Sequence, residues 1–75
     1  METKQRLLEI FNQILANKGR SLVAEISEEQ KLREDVGFDS LDLAELTVKV
    51  EVEFDVDIFE DGLIFTVGEI LDKLK

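Results

Sequence analysis

From Val48 to Ile58 the chain alternates apolar and charged residues without a break, and nowhere else does it offer a second run of that kind. Val48, Val50, Val52, Phe54, Val56 and Ile58 hold the even positions, and Lys49, Glu51, Glu53, Asp55 and Asp57 the odd ones. Locally this is the period of a half-buried strand, and most of the apolar members are β-branched. A strand without a partner leaves its backbone N–H and C=O groups unsatisfied, so a chain with one such run and nothing to pair it with cannot build a sheet. The same residues also satisfy a helix. At about 100° per residue, Leu43, Leu46, Val50 and Phe54 form one stripe with Thr47 beside it, and Leu41, Ala44, Val48 and Val52 form a second on roughly the opposite side. The global constraint outweighs the local one. A helix is expected here, ending near Asp55.

The flanking segments agree. Leu7, Leu8, Phe11, Ile14 and Leu15 mark one face of a helix over residues 3–18, stopped at Gly19. Lys18 and Arg20 suit the negative end of that helix, whereas Lys4 and Arg6 near its start do not. Residues 20–39 lack a sustained period, and Leu22, Val23, Ile26 and Leu32 are expected to plug a long loop onto a helical core, the loop ending at Gly37. Near the C-terminus, Thr66-Val67-Gly68-Glu69 has the form of a capping box, followed by the stripe Val67, Ile70, Leu71 and Leu74. That final helix is expected to end near Lys73 and Lys75. The 75 residues are read as a single domain, 1–75, with no linker or internal repeat.

Composition removes whole classes of function. With no Cys and no His, the chain lacks thiol chemistry, thiolate metal sites, the usual general base and the commonest metal ligand. No metal site is expected. No apolar run approaches membrane-spanning length, and the evenly charged N-terminus does not read as a secretory signal, so a cytoplasmic location is expected. The formal charge is −9, and residues 34–72 carry 13 acidic side chains against Lys49 alone. That field repels nucleic acid and anionic membranes and favours encounter with basic protein surfaces; a merely solubilising role accounts for it as well.

Gly37-Phe38-Asp39-Ser40-Leu41-Asp42 opens the central helix. Gly37 supplies a turn, Asp39 can cap, and Asp42 and Glu45 lie near the positive end. Ser40 then presents its hydroxyl at a solvent-facing helix start, where an attached or bound phosphate is stabilised. Activation needs a base such as His or Lys and neither stands near it in sequence, so it reads as a target of modification rather than a nucleophile in its own right; a plain capping serine is the other reading.

The Asp39-Ser40-Leu41 triplet, preceded by Leu-Arg-Glu-Asp-Val-Gly-Phe and followed by the helix just described, resembles the acyl carrier protein family over essentially the whole chain. The resemblance implies an all-α fold: a small bundle of three main helices plus a short third helix, around Glu60 to Ile64 and reduced to a single turn by the short connection from Ile58 to Val67. It implies that Ser40 receives 4′-phosphopantetheine from coenzyme A, and that the thiol of this arm carries an acyl group as a thioester. The protein is then a carrier and not an enzyme, and the imported sulfur accounts for the missing Cys and His. By position, Asp39, Leu41, Asp42 and Glu45, with Val48, Lys49 and Val52 on the same helix, fall on the family's partner-recognition surface. Leu32, Leu46, Val50, Ile58 and Leu71 fall where the family lines an interhelical core that shelters the acyl chain; ordinary core is the compatible simpler role. The implied partners are a phosphopantetheinyl transferase, acyl-activating or acyltransferase enzymes, and ketosynthase-type condensing enzymes with basic docking patches, met by a monomer.

The sequence departs from the family's pattern in Val48 and Val52, in Lys49 among the acids, and in Phe59 where Pro commonly stands. These changes point to a specialised carrier in a dedicated fatty acid, lipid or polyketide-type pathway, with an apolar, less acidic docking face. A non-carrier interaction domain of the same fold and a carrier of aminoacyl cargo stand as alternatives. A calcium-binding loop in Asp-Val-Asp-Ile-Phe-Glu-Asp-Gly fails on spacing: counted from Asp57, Phe59 takes the third ligand place and Gly68 the twelfth.

Overall fold

The computed structural model describes residues 2–74 and builds them from three helices: α1 (Glu2–Asn17), α2 (Ser40–Phe54) and α3 (Val67–Lys73). Lys75 lies outside the described residues. Extended pairing among the described residues is confined to an isolated antiparallel bridge between Lys31 and Thr66. The alternating run is therefore helical through Phe54, and burial shows how the two periods coincide. Leu46 and Val50 are fully buried, while Val48 and Val52 are 62% and 82% exposed on the other side of α2. The valines that mimic a strand are thus two helical stripes, one facing the core and one facing water. Asp55 ends the helix in the left-handed region (φ 58°), its N–H bonded to the Glu51 carbonyl at 2.8 Å.

Helix α1 buries Leu7, Ile10, Phe11, Ile14 and Leu15. Ile10 joins the expected stripe, and Leu8 is left packed at its edge. Arg6 near the start of α1 pairs with Glu53 near the end of α2, and Lys18 just beyond α1 reaches Asp42 in the first turn of α2. The two helices therefore run antiparallel. This accounts for Arg6, which is unfavourable for its own helix dipole: its charge serves a cross-helix pair. Lys18 and Arg20 lie past the last turn of α1 and converge on Asp42 instead of neutralising that helix end.

The segment between α1 and α2 is tied down at a few points. Asn12 on α1 accepts the Val23 N–H (2.9 Å) and donates to the Val23 carbonyl (3.0 Å), while Ile26, Leu32, Val36 and Phe38 enter the core. Leu22 does not plug the loop; it is 60% exposed, because the two Asn12 bonds fix Val23 against α1 and leave its neighbour pointing out. The Phe38 ring meets Phe11 edge-on at 5.1 Å, an arrangement that favours aromatic pairs. Gly37 (φ 91°) makes the bend that lets Phe38 turn inward while Asp39 and Ser40 stay at the surface.

Between α2 and α3 the short helix expected around Glu60 to Ile64 is reduced to tight turns across residues 57–62. Asp57 accepts the Phe59 N–H on its side chain (3.0 Å) and the Glu60 N–H on its carbonyl (3.2 Å). Ile58 anchors this turn in the core, and Lys73 holds it to the end of α3 through Asp61 at 2.9 Å.

The capping box of α3 forms as the sequence indicates. Thr66 caps the Glu69 N–H, and Glu69 accepts from the Phe65 and Thr66 N–H groups at 2.9 and 3.0 Å, bonds that hold its carboxyl below the usual range. Two more first-turn donors, Val67 and Gly68, bond the carbonyls of Gln30 and Glu28 at 3.0 and 3.1 Å. This docking explains Gly68, whose backbone is ordinary: a Cβ there would lie 3.0 Å from the Glu28 carbonyl oxygen. Gly68→Ala is expected to push Glu28 away and lower stability by about 1 kcal/mol net of the helix propensity gained. Thermal unfolding followed by circular dichroism reads this directly, and a raised midpoint would contradict it.

Candidate functional site

The start of α2 concentrates the chain's polar chemistry. Asp39 is the N-cap, with an extended backbone (φ −101°, ψ −174°), and its Oδ1 accepts the Asp42 N–H at 2.9 Å. Asp42 answers by accepting the Asp39 N–H at 3.1 Å, which completes a capping box. Ser40 follows as the first helical residue. It is exposed, and its Oγ accepts a hydrogen bond from Arg33 Nη2 at 3.0 Å.

Asp42 is not on the recognition surface where the sequence reading put it. Its side chain is fully buried, with Arg20 Nη1 3.1 Å from Oδ2 and Lys18 Nζ 3.1 Å from Oδ1, the latter a charge contact rather than a directed hydrogen bond. A carboxylate so enclosed by its own cations cannot meet a partner's basic patch. Burial pushes its pKa up, but the Asp39 N–H bond and the charges of Lys18 and Arg20 outweigh this and leave the carboxyl below its usual range. Arg20 also donates to the Gly37 carbonyl and lies 3.8 Å from Asp39. One arginine thus braces the turn, the cap and the buried acid together.

The other expected recognition residues remain on or near the surface. Leu41 is 73% exposed, Val48 and Val52 lie along the same face, and Asp39 is exposed; Glu45 and Lys49 are half-buried and sit 3.9 Å apart as an i, i+4 pair. Of the residues expected to line an acyl-sheltering core, Leu32, Leu46, Val50 and Ile58 are buried in the central cluster, whereas Leu71 is only half-buried and packs on its margin. Val67 and Ile70 take the buried face of α3, and Leu71, one residue on, is turned toward its margin. Beside Arg33 a small cleft of about 70 Å³ opens, lined by Leu32, Leu43, Phe59, Leu63, Ile64 and Phe65. Leu32 is the one expected core-lining residue that also borders it.

Sequence reasoning missed Arg33, Arg20 and Lys18 at this site. Lys18 and Arg20 had an adequate local role at the end of α1, and nothing in one dimension shows that they fold back onto Asp42. Arg33 carries no signal in the sequence beyond standing 7 positions before Ser40.

A family model described as the phosphopantetheine attachment site matches residues 5–73 of the chain. Among curated proteins, the chain is 31% identical over 75 residues to an acyl carrier protein of Exiguobacterium sp., covering 97% of this chain and 95% of that one. It is 32% identical over 77 aligned positions to an acyl carrier protein of Thermotoga maritima, covering 100% and 95%. A third, from Saccharopolyspora erythraea, is 37% identical over 71 residues, covering 92% of this chain and 75% of that one. No solved structure gives a significant match.

Proposed function

The chain belongs to the acyl carrier protein family, and from that premise we propose that Ser40 is the residue on which its 4′-phosphopantetheine arm is carried. The family role is to hold acyl groups on that arm. The observation that carries the assignment to Ser40 is its position: an exposed hydroxyl on the first residue of α2, held out by a capped helix start whose capping work is done by Asp39 and Asp42. The hydroxyl is therefore free of structural duty. Its side-chain hydrogen bond is with a cation, and an anion attached there would also meet the positive end of the helix.

When attached, the group supplies the thiol that this cysteine-free chain lacks. The chain's own residues orient and present. Arg33, the side chain hydrogen-bonded to Ser40 Oγ, is a permanent cation, and the adjacent Asp39 is engaged as the helix cap, so the proton on Oγ is assigned to a base on the transferase. The Asp39–Asp42 box and the Arg20 brace hold the hydroxyl in one place as that enzyme approaches.

The exposed face of α2 suits a specialised carrier better than a general one. Leu41, Val48 and Val52 form an apolar strip, and Lys49 partly neutralises Glu45 beside it. Condensing and acyl-transferring partners in a dedicated lipid or polyketide-type pathway would then read α2 through apolar contact flanked by acids, with the carrier acting as a cytoplasmic monomer and not itself an enzyme.

Intact mass spectrometry after incubation with coenzyme A and a broad-specificity phosphopantetheinyl transferase tests the assignment. One added phosphopantetheine, located by fragmentation on the peptide that contains Ser40, is the expected result. No addition to the folded protein, or addition to another residue, would overturn it.

A further inference from the structure

Arg33 spends its charge on a neutral hydroxyl. Its Nη2 donates to Ser40 Oγ at 3.0 Å, and among the described residues no carboxylate lies within ion-pair distance of it. This is not for want of acids nearby. Glu34, next in the chain, pairs with Lys31 at 3.4 Å, and Asp35 turns back to accept the Lys31 N–H at 2.7 Å. Arg20, the other arginine at the site, is already committed to Asp42, Asp39 and the Gly37 carbonyl.

Nor is Arg33 placed by a loose tether. It sits between Leu32, 1% exposed, and Val36, 7% exposed, on a turn closed by the Val36 N–H to the Lys31 carbonyl at 3.1 Å. The Leu32 N–H bonds the Phe65 carbonyl at 2.8 Å, and the Leu32 carbonyl accepts from Phe38 at 2.9 Å. The guanidinium is thus delivered to Ser40 by a backbone fixed at both ends.

We propose that Arg33 is the positioning residue for the modified serine, holding the phosphate of the arm and thereby setting the direction in which the arm leaves the protein. The proposal rests on Ser40 being the attachment residue. On modification, Oγ loses its proton and bonds to the pantetheine-side phosphorus of coenzyme A as the pyrophosphate P–O bond breaks and adenosine 3′,5′-bisphosphate leaves. Oγ becomes an ester oxygen, a weaker acceptor, and the negative charge is carried by the two non-bridging oxygens of that phosphorus. A guanidinium within hydrogen-bond distance of Oγ can move to those oxygens with a small change of rotamer, exchanging a neutral partner for a charged one and using its planar fork on both. The surroundings make that exchange favourable. The start of α2 favours an anion at Ser40, and Arg33, which no carboxylate among the described residues pairs, is the cation in hydrogen-bond contact with the point of attachment.

The test uses the loaded protein, its modification verified by intact mass, and reads the phosphodiester by ³¹P NMR at low ionic strength in the wild type, Arg33→Gln and Arg33→Lys. Arg33 is exposed, so both variants are expected to fold, which backbone amide spectra verify. The expected result is a displaced and narrower phosphorus resonance in Arg33→Gln, a partial return in Arg33→Lys, and a salt dependence of the resonance in the wild type that Arg33→Gln lacks. Superimposable phosphorus spectra in wild type and Arg33→Gln would overturn the role of Arg33 while leaving Ser40 in place. Failure of the wild type to gain the arm, or a gain that survives Ser40→Ala, would instead overturn the assignment of Ser40, and with it this inference.

Discussion

Ser40→Ala gains no mass when incubated with coenzyme A and the transferase, and it melts where the wild type does. The two halves of this expectation come from separate features of the helix start. Loading requires an oxygen at position 40, and alanine has none, so the loss is complete rather than graded. Stability hardly depends on that oxygen. Ser40 occupies the first helical position, one residue past the cap; the side chain that satisfies a first-turn N–H belongs to Asp39, and the carboxylate that answers it belongs to Asp42. What the substitution removes is an exposed hydrogen bond from Arg33. A surface change of this kind stays within about 0.5 kcal/mol, which at ~4–8 °C per kcal/mol moves the midpoint by less than about 4 °C. Differential scanning calorimetry beside intact mass reads both halves on one preparation. A full mass gain in Ser40→Ala would place the arm elsewhere, and a large drop in midpoint would show that Ser40 does share in the capping.

Asp42→Ala differs in kind: it keeps the Ser40 oxygen but yields a markedly less stable protein. The buried carboxylate accepts the Asp39 N–H, receives Arg20 on Oδ2 and faces Lys18 on Oδ1, so its removal takes away half of the capping box and the anchor between the end of α1 and the start of α2. Truncating one member of a buried charge group costs ~3–5 kcal/mol when the rest is left stranded. Here the cations are not stranded, because the side chains of Lys18 and Arg20 are 32% and 38% exposed and can turn to water. A loss of about 2–3 kcal/mol is therefore expected, from the cap and the charge-assisted bonds together. Chemical denaturation measures it, and a loss below about 0.5 kcal/mol, the range of a plain surface change, would show that the cluster contributes little.

The pH dependence of the same cluster has a definite sign. Asp42 titrates below its ordinary range in the folded protein, so the unfolded chain binds its proton more readily than the folded one does. Its contribution to stability is whole above the unfolded carboxyl's value, near 3.9, and fades as the pH falls through the lower folded value. Asp42→Asn keeps an acceptor of similar shape without the charge. The difference in stability between wild type and Asp42→Asn is accordingly expected to be constant from neutrality down to weakly acidic pH and to shrink below it.

Much of the architecture could be read in one dimension because each helix carried its own boundary signals. Asp39 and Thr66 cap where the sequence says they do, each with an acidic residue three positions on to complete the box, and these are short-range devices. The ambiguity of residues 48–58 was likewise settled without three-dimensional information, since backbone satisfaction forbids an unpaired strand in any fold. Ser40 stood out as a candidate from short-range features together with the family resemblance, a plain capping serine being the other reading. Its place just after a cap, in a chain without His or Cys, narrows what a hydroxyl there can do.

What the sequence alone determined, then, is the three helical stripes and their caps, with Ser40 as the candidate point of attachment; the short helix expected around Glu60 to Ile64 is a set of tight turns instead. What only the tertiary structure decided is which charges are surface and which are interior. Asp42 and Glu45 look alike in sequence, both acids in the first turns of α2, yet α1 packs antiparallel to α2 and carries Lys18 and Arg20 over one of them. Gly68 reads as an ordinary first-turn residue until the Glu28 carbonyl is seen against it, and Arg33 as an ordinary loop residue until its turn is docked on Phe65. The physical reason is common to all three. Caps and periodicities are fixed by neighbours within four residues, whereas burial, close approach and ion pairing depend on segments 22, 40 and 33 positions apart that meet only when the core closes.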